Sequence, residues 1–345
     1  MSTAKRRIRV LVVDDSIVFR ETLARKIASD PFIEVVATAS DPYMARDKIL
    51  EFQPDVMTLD VEMPRMSGIE FLRKLIPQYP IPVVVVSATS ENIFDALNAG
   101  AVDFVTKPDT KSFNQEVFVR ELIIKIKIAS TAKVEQPKRE LGGDLPVSGG
   151  VERGGRERII AIGASTGGTE AIYEVLRALP REVPGIVIVQ HMPPVFTAMY
   201  AKRLNGSCCI EVKEAQTGDA VVPGRALLAP GGYHMRLDRK GGKYVVEVFK
   251  GDNVNGHCPS VDVLFNSVAD KAGSAGLGVI LTGMGYDGAK GLLKMKQAGA
   301  ITFGQDQQSC IVYGMPKVAY EIGAVERQAP LANIPRLICS AINRR

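Results

Sequence analysis

No stretch of this 345-residue chain stays apolar for long. The longest runs, such as those containing 83–86 and 278–281, fall far short of the roughly 18 apolar residues that cross a bilayer, so no membrane-spanning segment is expected. The basic start from Lys5 to Arg9, followed by Val10 to Val13, has the beginnings of a signal peptide, but Asp14 and Asp15 interrupt it and argue against export. Cysteine is scarce: five residues, an odd number without a C-x-x-C pair, which points to reduced thiols in a cytoplasm. Histidine is scarcer, with three residues, and no His or Cys pair falls at metal-ligand spacing. Dense Lys/Arg blocks interleaved with aromatics are missing, as is any repeat of 20–50 residues, so neither a nucleic-acid footprint nor a solenoid is expected.

What remains is an ordinary globular composition, 46% hydrophobic and 23% charged, in a chain long enough for two domains. Between 129 and 157 the apolar periodicity gives way to Gly, Pro and mixed charge, the composition of a flexible linker. The expected boundaries are 1–128, the linker 129–157, and 158–345. Formal charge divides as −1, 0 and +6 over these segments. The basic excess thus lies in the C-terminal part, where it suits an acidic partner.

In the first part short apolar runs at 9–13, 34–37, 56–59, 83–87 and 103–106 alternate with helical patterns, the grammar of a doubly wound parallel sheet. The second part repeats it with runs at 159–162, 185–190, 226–229, 278–282 and 300–303. Tyr244 to Phe249, after Lys240-Gly-Gly-Lys, reads as one arm of an antiparallel insertion near 210–250. The fold class expected is α/β throughout, a flavodoxin-like sheet followed by a Rossmann-like one with a hairpin insertion.

Ligands of such sheets gather beyond the carboxyl ends of the strands. In the first part those ends carry Asp14 and Asp15, Asp60, Ser87 and Lys107. Three carboxylates on one crevice are oxygen donors for a hard cation such as Mg²⁺, and a lysine and a hydroxyl beside them balance a phosphoryl group. Asp60 is the candidate nucleophile, to form an aspartyl phosphate, with Asp14, Asp15 and Asp60 as metal ligands. Acids at strand ends also serve as plain loop or cap residues. Taken jointly, Val12-Val13-Asp14-Asp15-Ser16, Leu59-Asp60-Val61-Glu62-Met63-Pro64, Gly68, Ser87-Ala88 and Lys107-Pro108 resemble the receiver domain of two-component response regulators. The resemblance implies phosphorylation of Asp60 by a histidine kinase, with Ser87 and Phe104 as switch residues beside Lys107.

In the second part the run 159–162 leads into Gly163-Ala-Ser-Thr-Gly-Gly168 and then a helical stretch at 170–179, a G-x-S-x-G turn between strand and helix. The serine hydroxyl is exposed there, and N–H groups at the helix start, with Thr166 the candidate, face a developing oxyanion. Ser165 or Thr166 as a simple helix cap, or a phosphate cradle, are the plainer alternatives. Of the histidines, His191 follows the run 185–190 on the same rim as Ser165, whereas His234 and His257 are harder to place there. Asp287, in the glycine-rich turn after 278–282, is the natural acid, with Asp262 and Asp306 as competitors. Met284 in Gly283-Met-Gly285 is a second candidate oxyanion donor.

Ile162-Gly-Ala-Ser-Thr-Gly-Gly168, Gln190-His-Met-Pro193, Ala229-Pro-Gly-Gly-Tyr-His234, Pro259-Ser-Val-Asp262 and Leu281-Thr-Gly-Met-Gly-Tyr-Asp-Gly288, joined to a receiver, resemble the chemotaxis protein-glutamate methylesterases over essentially the whole chain. The resemblance puts nucleophile, base and acid on Ser165, His191 and Asp287. Their order differs from the Ser, Asp, His order of α/β-hydrolases, which argues for convergence. It further implies methyl-accepting chemoreceptors as substrate, a chemotaxis histidine kinase as phosphodonor, Mg²⁺ for the receiver alone, glutamine deamidation as a second activity, and a cytoplasmic enzyme peripheral to receptor arrays. The tether keeps the receiver at high effective concentration, so an unphosphorylated receiver lying over the Ser165 rim is a further expectation. Two other readings compete. A DNA-binding regulator needs a recognition helix after the linker, where buried strands stand instead. A nucleotide-binding module needs the P-loop lysine or G-x-G-x-x-G spacing, and the loop has neither.

Overall fold

The computed structural model describes residues 6–88, 92–108, 115–134 and 158–343, and the chain divides into two compact units, Met1–Glu140 and Leu141–Arg345. Most of the expected linker, 135–157, lies outside the described residues, and its first residue, Ala129, closes a helix.

In the first unit β1 (Ile8–Val13), β2 (Ile33–Ala39), β3 (Val56–Asp60), β4 (Val83–Ser87) and β5 (Asp103–Thr106) alternate with α1 (Ile17–Ile27), α2 (Pro42–Phe52), α3 (Gly68–Leu75), α4 (Ile93–Asn98) and α5 (Gln115–Ala129). All pairs are parallel, in the order β2-β1-β3-β4-β5. Strands β3 and β4 are buried at every residue because helices cover both faces, which is why β4 reads as an unbroken apolar run from Val83 to Val86. The chain reverses direction across the sheet between β1 and β3, and that opens a crevice beside Asp14 and Asp60.

The second unit holds a seven-stranded parallel sheet in the order β14-β13-β12-β6-β7-β9-β8. Its strands are β6 (Ile159–Ala164), β7 (Gly185–Gln190), β8 (Glu211–Glu214), β9 (Arg225–Leu228), β12 (Gly276–Ile280), β13 (Ile301–Gln305) and β14 (Arg327–Ala329). Helices α6 (Gly168–Ala178), α7 (Phe196–Ser207), α8 (Val261–Ala272), α9 (Ala289–Gln297), α10 (Met315–Glu321) and α11 (Ile334–Ile342) complete it. The antiparallel insertion is narrower than the sequence suggested: β10 (His234–Lys240) and β11 (Lys243–Phe249) form a hairpin, while the unforeseen β8 joins β9, the expected 226–229 strand, in the main parallel sheet. Strand β6 sits at the seam, with later strands added on either side through β7 and β12. The C-terminal ends of β12, β6 and β7 therefore share one rim, the place where such sheets bind ligands.

The rim is held from below by α8, whose Val261 and Phe265 press directly on β6. A methyl group added at Gly163 would lie 2.2 Å from Val261 Cγ1 and 3.2 Å from Phe265 Cζ. Gly163→Ala is therefore expected to force α8 away from the sheet at a cost of about 1–3 kcal/mol, read as an earlier urea midpoint for this unit.

Candidate active site

In the first unit Asp14 and Asp60 are buried and Asp15 is exposed, and the three place carboxylate oxygens within 4.8 Å of one another. Lys107, just past β5, sets Nζ 2.7 Å from both Asp14 Oδ2 and Asp60 Oδ2 and 4.7 Å from the centre of the Phe19 ring. One lysine against three carboxylates leaves a local excess of negative charge, and this oxygen donor set fits a small divalent cation. Burial pushes the Asp60 carboxyl upward and Asp14 adds to the rise; the Lys107 contact pulls against both, and the net direction is up. Ser87 ends β4 fully buried, and Phe104 is buried in β5 with Lys125 Nζ 5.2 Å from its ring centre. The crevice thus gathers the expected aspartates and Lys107 tightly, and the expected switch residues stand on the two strands that follow β3 in the sheet.

In the second unit Ala164 pairs with Gln190 across β6 and β7, so Ser165 and His191 are the first residues beyond two neighbouring strand ends. Adjacent strands lie about 4.8 Å apart. Gln190 ties the two loops together: its amide nitrogen donates to Ser165 O at 2.8 Å and to His191 O at 3.1 Å. The loop after β12 closes the third side. Ser165 N–H donates to Thr282 O at 3.0 Å, and the Thr282 hydroxyl donates to Thr166 O at 3.0 Å. Gly283 backs onto the serine so closely that a Cβ there would lie 2.7 Å from Ser165 Cβ.

Asp287 is almost wholly buried at the N-terminus of α8. Its oxygens accept from the Ser260 hydroxyl at 2.7 Å, the N–H groups of Val261 at 2.6 Å and Asp262 at 3.2 Å, the Asn255 amide at 2.8 Å, and His191 Nε2 at 2.8 Å. Burial alone raises its pKa, but the hydrogen bonds from His191, Asn255 and Ser260 hold the carboxyl well below the usual range. The helix N-terminus favours the same anionic form. An ionised Asp287 fixes the His191 proton on Nε2 and leaves the lone pair on Nδ1. That Nδ1 is buried without a hydrogen-bond partner, so the Ser165 hydroxyl is not bonded to it in this state. Apo catalytic hydrogen bonds commonly close only when substrate binds.

The remaining sequence candidates separate clearly. Asp262 bonds Gly291 N–H at 2.6 Å and shares the Asn255 amide with Asp287, while burial and the Asp287 charge push its carboxyl up. Asp306 caps its own turn through the N–H and hydroxyl of Ser309. His234, expected in a loop, opens β10 and braces the Ser260 segment, its Nδ1 accepting from Ser260 N–H at 3.2 Å. His257, which its place in the sequence did not assign to the rim, stacks on His191 with ring centres 3.7 Å apart and planes 11° from parallel. The local signal for it was the Asn255-Gly256 pair, a strong hairpin-turn dipeptide. Of the expected oxyanion donors, Met284 is half exposed and its N–H enters no hydrogen bond among the described residues; Thr166 is buried beside Ser165. The Ser165 N–H is already committed to Thr282 and is not a donor to substrate.

Because Asp287 titrates below its unfolded value, its charge contributes stability that is complete above about pH 4 and is lost as pH falls through the folded value. Asp287→Asn is expected to be less stable than the natural protein at pH 7 by on the order of 2 kcal/mol, with the gap shrinking as pH is lowered from 4 toward 2. Urea unfolding at each pH checks this; a gap that is the same at every pH contradicts it.

Residues 160–338 match the CheB methylesterase family and residues 10–117 match the response regulator receiver domain. The chain is 60% identical over 339 residues to protein-glutamate methylesterase/protein-glutamine glutaminase 2 of Syntrophomonas wolfei, with 98% of each chain covered. It is 51% identical to the protein-glutamate methylesterase/protein-glutamine glutaminase of Syntrophotalea carbinolica, over 96% of this chain and 97% of that one. In three dimensions it is similar to the crystal structure of the Thermotoga maritima CheB methylesterase catalytic domain, with a TM-score of 0.53 and 38% identity, covering 54% of this chain and 99% of that one. A receiver domain followed by a seam-strand serine site, matched along nearly its full length, places this chain in the CheB methylesterase family.

Proposed function

We propose that this protein hydrolyses γ-glutamyl methyl esters on the helical cytoplasmic region of chemoreceptors, deamidates glutamine at such sites, and does so under control of phosphorylation at Asp60, resetting receptors during chemotactic adaptation. The observation that carries the catalytic reading is the 2.8 Å contact between His191 and the anionic Asp287, on the rim that presents Ser165. The names of the relatives support both activities.

In this reading Ser165 Oγ attacks the ester carbonyl carbon while His191 Nδ1 takes its proton, and Asp287 stabilises the imidazolium through Nε2. The carbonyl oxygen, now negative, accepts from the N–H groups of Thr166 and Met284. The carbon–methoxy bond then breaks, His191 returns the proton, and methanol leaves. Water attacks the acyl-enzyme with His191 again as base, restoring Ser165 and leaving a glutamate carboxylate. With glutamine as substrate the leaving group is ammonia.

In the receiver Asp60 takes the phosphoryl group from the phosphohistidine of a chemotaxis kinase, Lys107 pairs with its oxygens, and Ser87 and Phe104 relay the change. Mg²⁺, held by Asp14, Asp15 and Asp60, supplies charge neutralisation when bound. The protein is read as cytoplasmic, peripheral to receptor arrays and not a nucleic-acid binder; no helix among the described residues is long and apolar enough to cross a membrane. The +6 charge over residues 158–345 assists encounter with acidic receptor helices.

The test is methanol release from methylated receptor membranes, with and without Mg²⁺ and a small phosphodonor. Release should fall by at least a thousandfold in Ser165→Ala, and the increase with phosphodonor should vanish in Asp60→Asn while basal release persists. Undiminished release from Ser165→Ala overturns the catalytic assignment.

A further inference from the structure

The reaction above asks more of His191 than one hydrogen bond delivers. The Nε2 contact with Asp287 fixes the imidazole at one edge and in its own plane, yet a ring held by one edge still tilts about that bond. Tilting would swing Nδ1, the atom that receives the serine proton, out of line, and small misplacements of a reacting group are costly in rate.

The face of the ring is held by a different element. Val254 and His257 form an isolated antiparallel bridge, each N–H donating to the other's carbonyl at 3.0 Å, and Asn255 and Gly256 turn the chain between them. Both turn residues have positive φ, 54° and 85°, as a two-residue hairpin turn of this hand requires. The turn sends two side chains into the site. Asn255 donates to Asp287 at 2.8 Å and to Asp262 at 2.7 Å, which anchors the turn to α8 and to the acid. His257 lies flat on His191 at 3.7 Å. Acid and base are thus gripped by the same four residues, one through an amide and the other through a ring face.

We propose that His257 is a positioning residue for His191: its ring face suppresses tilting of the imidazole, and the Asn255–Gly256 turn sets that face in register with Asp287. In this reading His257 takes no proton from the substrate and acts only through the His191 ring on which it lies. What it contributes is the out-of-plane restraint that Asp287 does not provide, and any flat ring at that place can provide it. The proposal rests on the reading of His191 as the base of Ser165.

The test uses the full chain on methylated receptor membranes, with kcat and KM for methanol release measured for His257→Ala and His257→Phe beside His191→Ala and Ser165→Ala. His257→Ala is expected to lower kcat roughly tenfold or more with KM within twofold of the natural protein, and His257→Phe is expected to recover most of the loss. The recovery separates ring restraint from general damage to the fold, which would not respond to the ring alone. The proposal falls if His257→Ala keeps kcat within twofold while His191→Ala is inactive, or if His257→Ala and His257→Phe lose kcat equally. If His191→Ala and Ser165→Ala both retain full release, the underlying catalytic reading fails as well, a result distinct from the first two.

Discussion

The second unit is organised around one buried anion. Asp287 gathers five donors from four places in the chain: the hydroxyl of Ser260, two N–H groups at the start of α8, the Asn255 amide and His191 Nε2. A carboxylate this deep would be prohibitively unstable without them, and each donor buried there would be unsatisfied without the carboxylate. The anion therefore fixes where α8 begins, where the 254–257 turn lies and which nitrogen of His191 carries the proton. The geometry of the His191–Asp287 pair and local stability are the same set of hydrogen bonds, so neither can be relaxed separately.

A second constraint is close approach of backbone. Where Gly163 meets Val261, and where Gly283 meets Ser165, a side chain as small as alanine has no room. Both positions lie at the rim, and both draw an element against the Ser165 turn: α8 from beneath β6, and the post-β12 loop from the side. The glycine-rich character of the rim is therefore a packing requirement as well as a turn requirement.

How much of this the sequence displayed depended on how local the cause was. The central strands were readable because parallel strands covered on both faces become continuous apolar runs, as Val83 to Val86 are. The edge strands β8, Glu-Val-Lys-Glu, and β14, Arg-Gln-Ala, were not, since one side of each is unpaired and carries polar residues. The same effect blurred the extent of the hairpin: β8 went unread, while the 226–229 strand within the same span was read as part of the main sheet. That Ser165, His191 and Asp287 share one rim could be read because strand-end position is a local property. The stacking of His257 and the capping of Asp287 by α8 were not legible, because both arise from contacts that exist only once the chain has closed on itself. Asn255-Gly256 advertised a turn but not what the turn would hold.

The placement of the three residues on adjacent strands has a consequence for synthesis. His191 comes 26 residues after Ser165, on the strand next to it in both sequence and space, but Asp287 comes 96 residues after His191. A ribosome-bound chain that has folded β6 and β7 already sets serine beside histidine, yet it lacks the acid, the β12 loop and their support. It has no anion to fix the imidazole tautomer and no Gly283 segment to close the serine's flank. The seam strand is completed from its second side only by β12. The rim that carries Ser165, His191 and Asp287 is therefore complete only in chains whose sheet has been assembled on both sides of the seam.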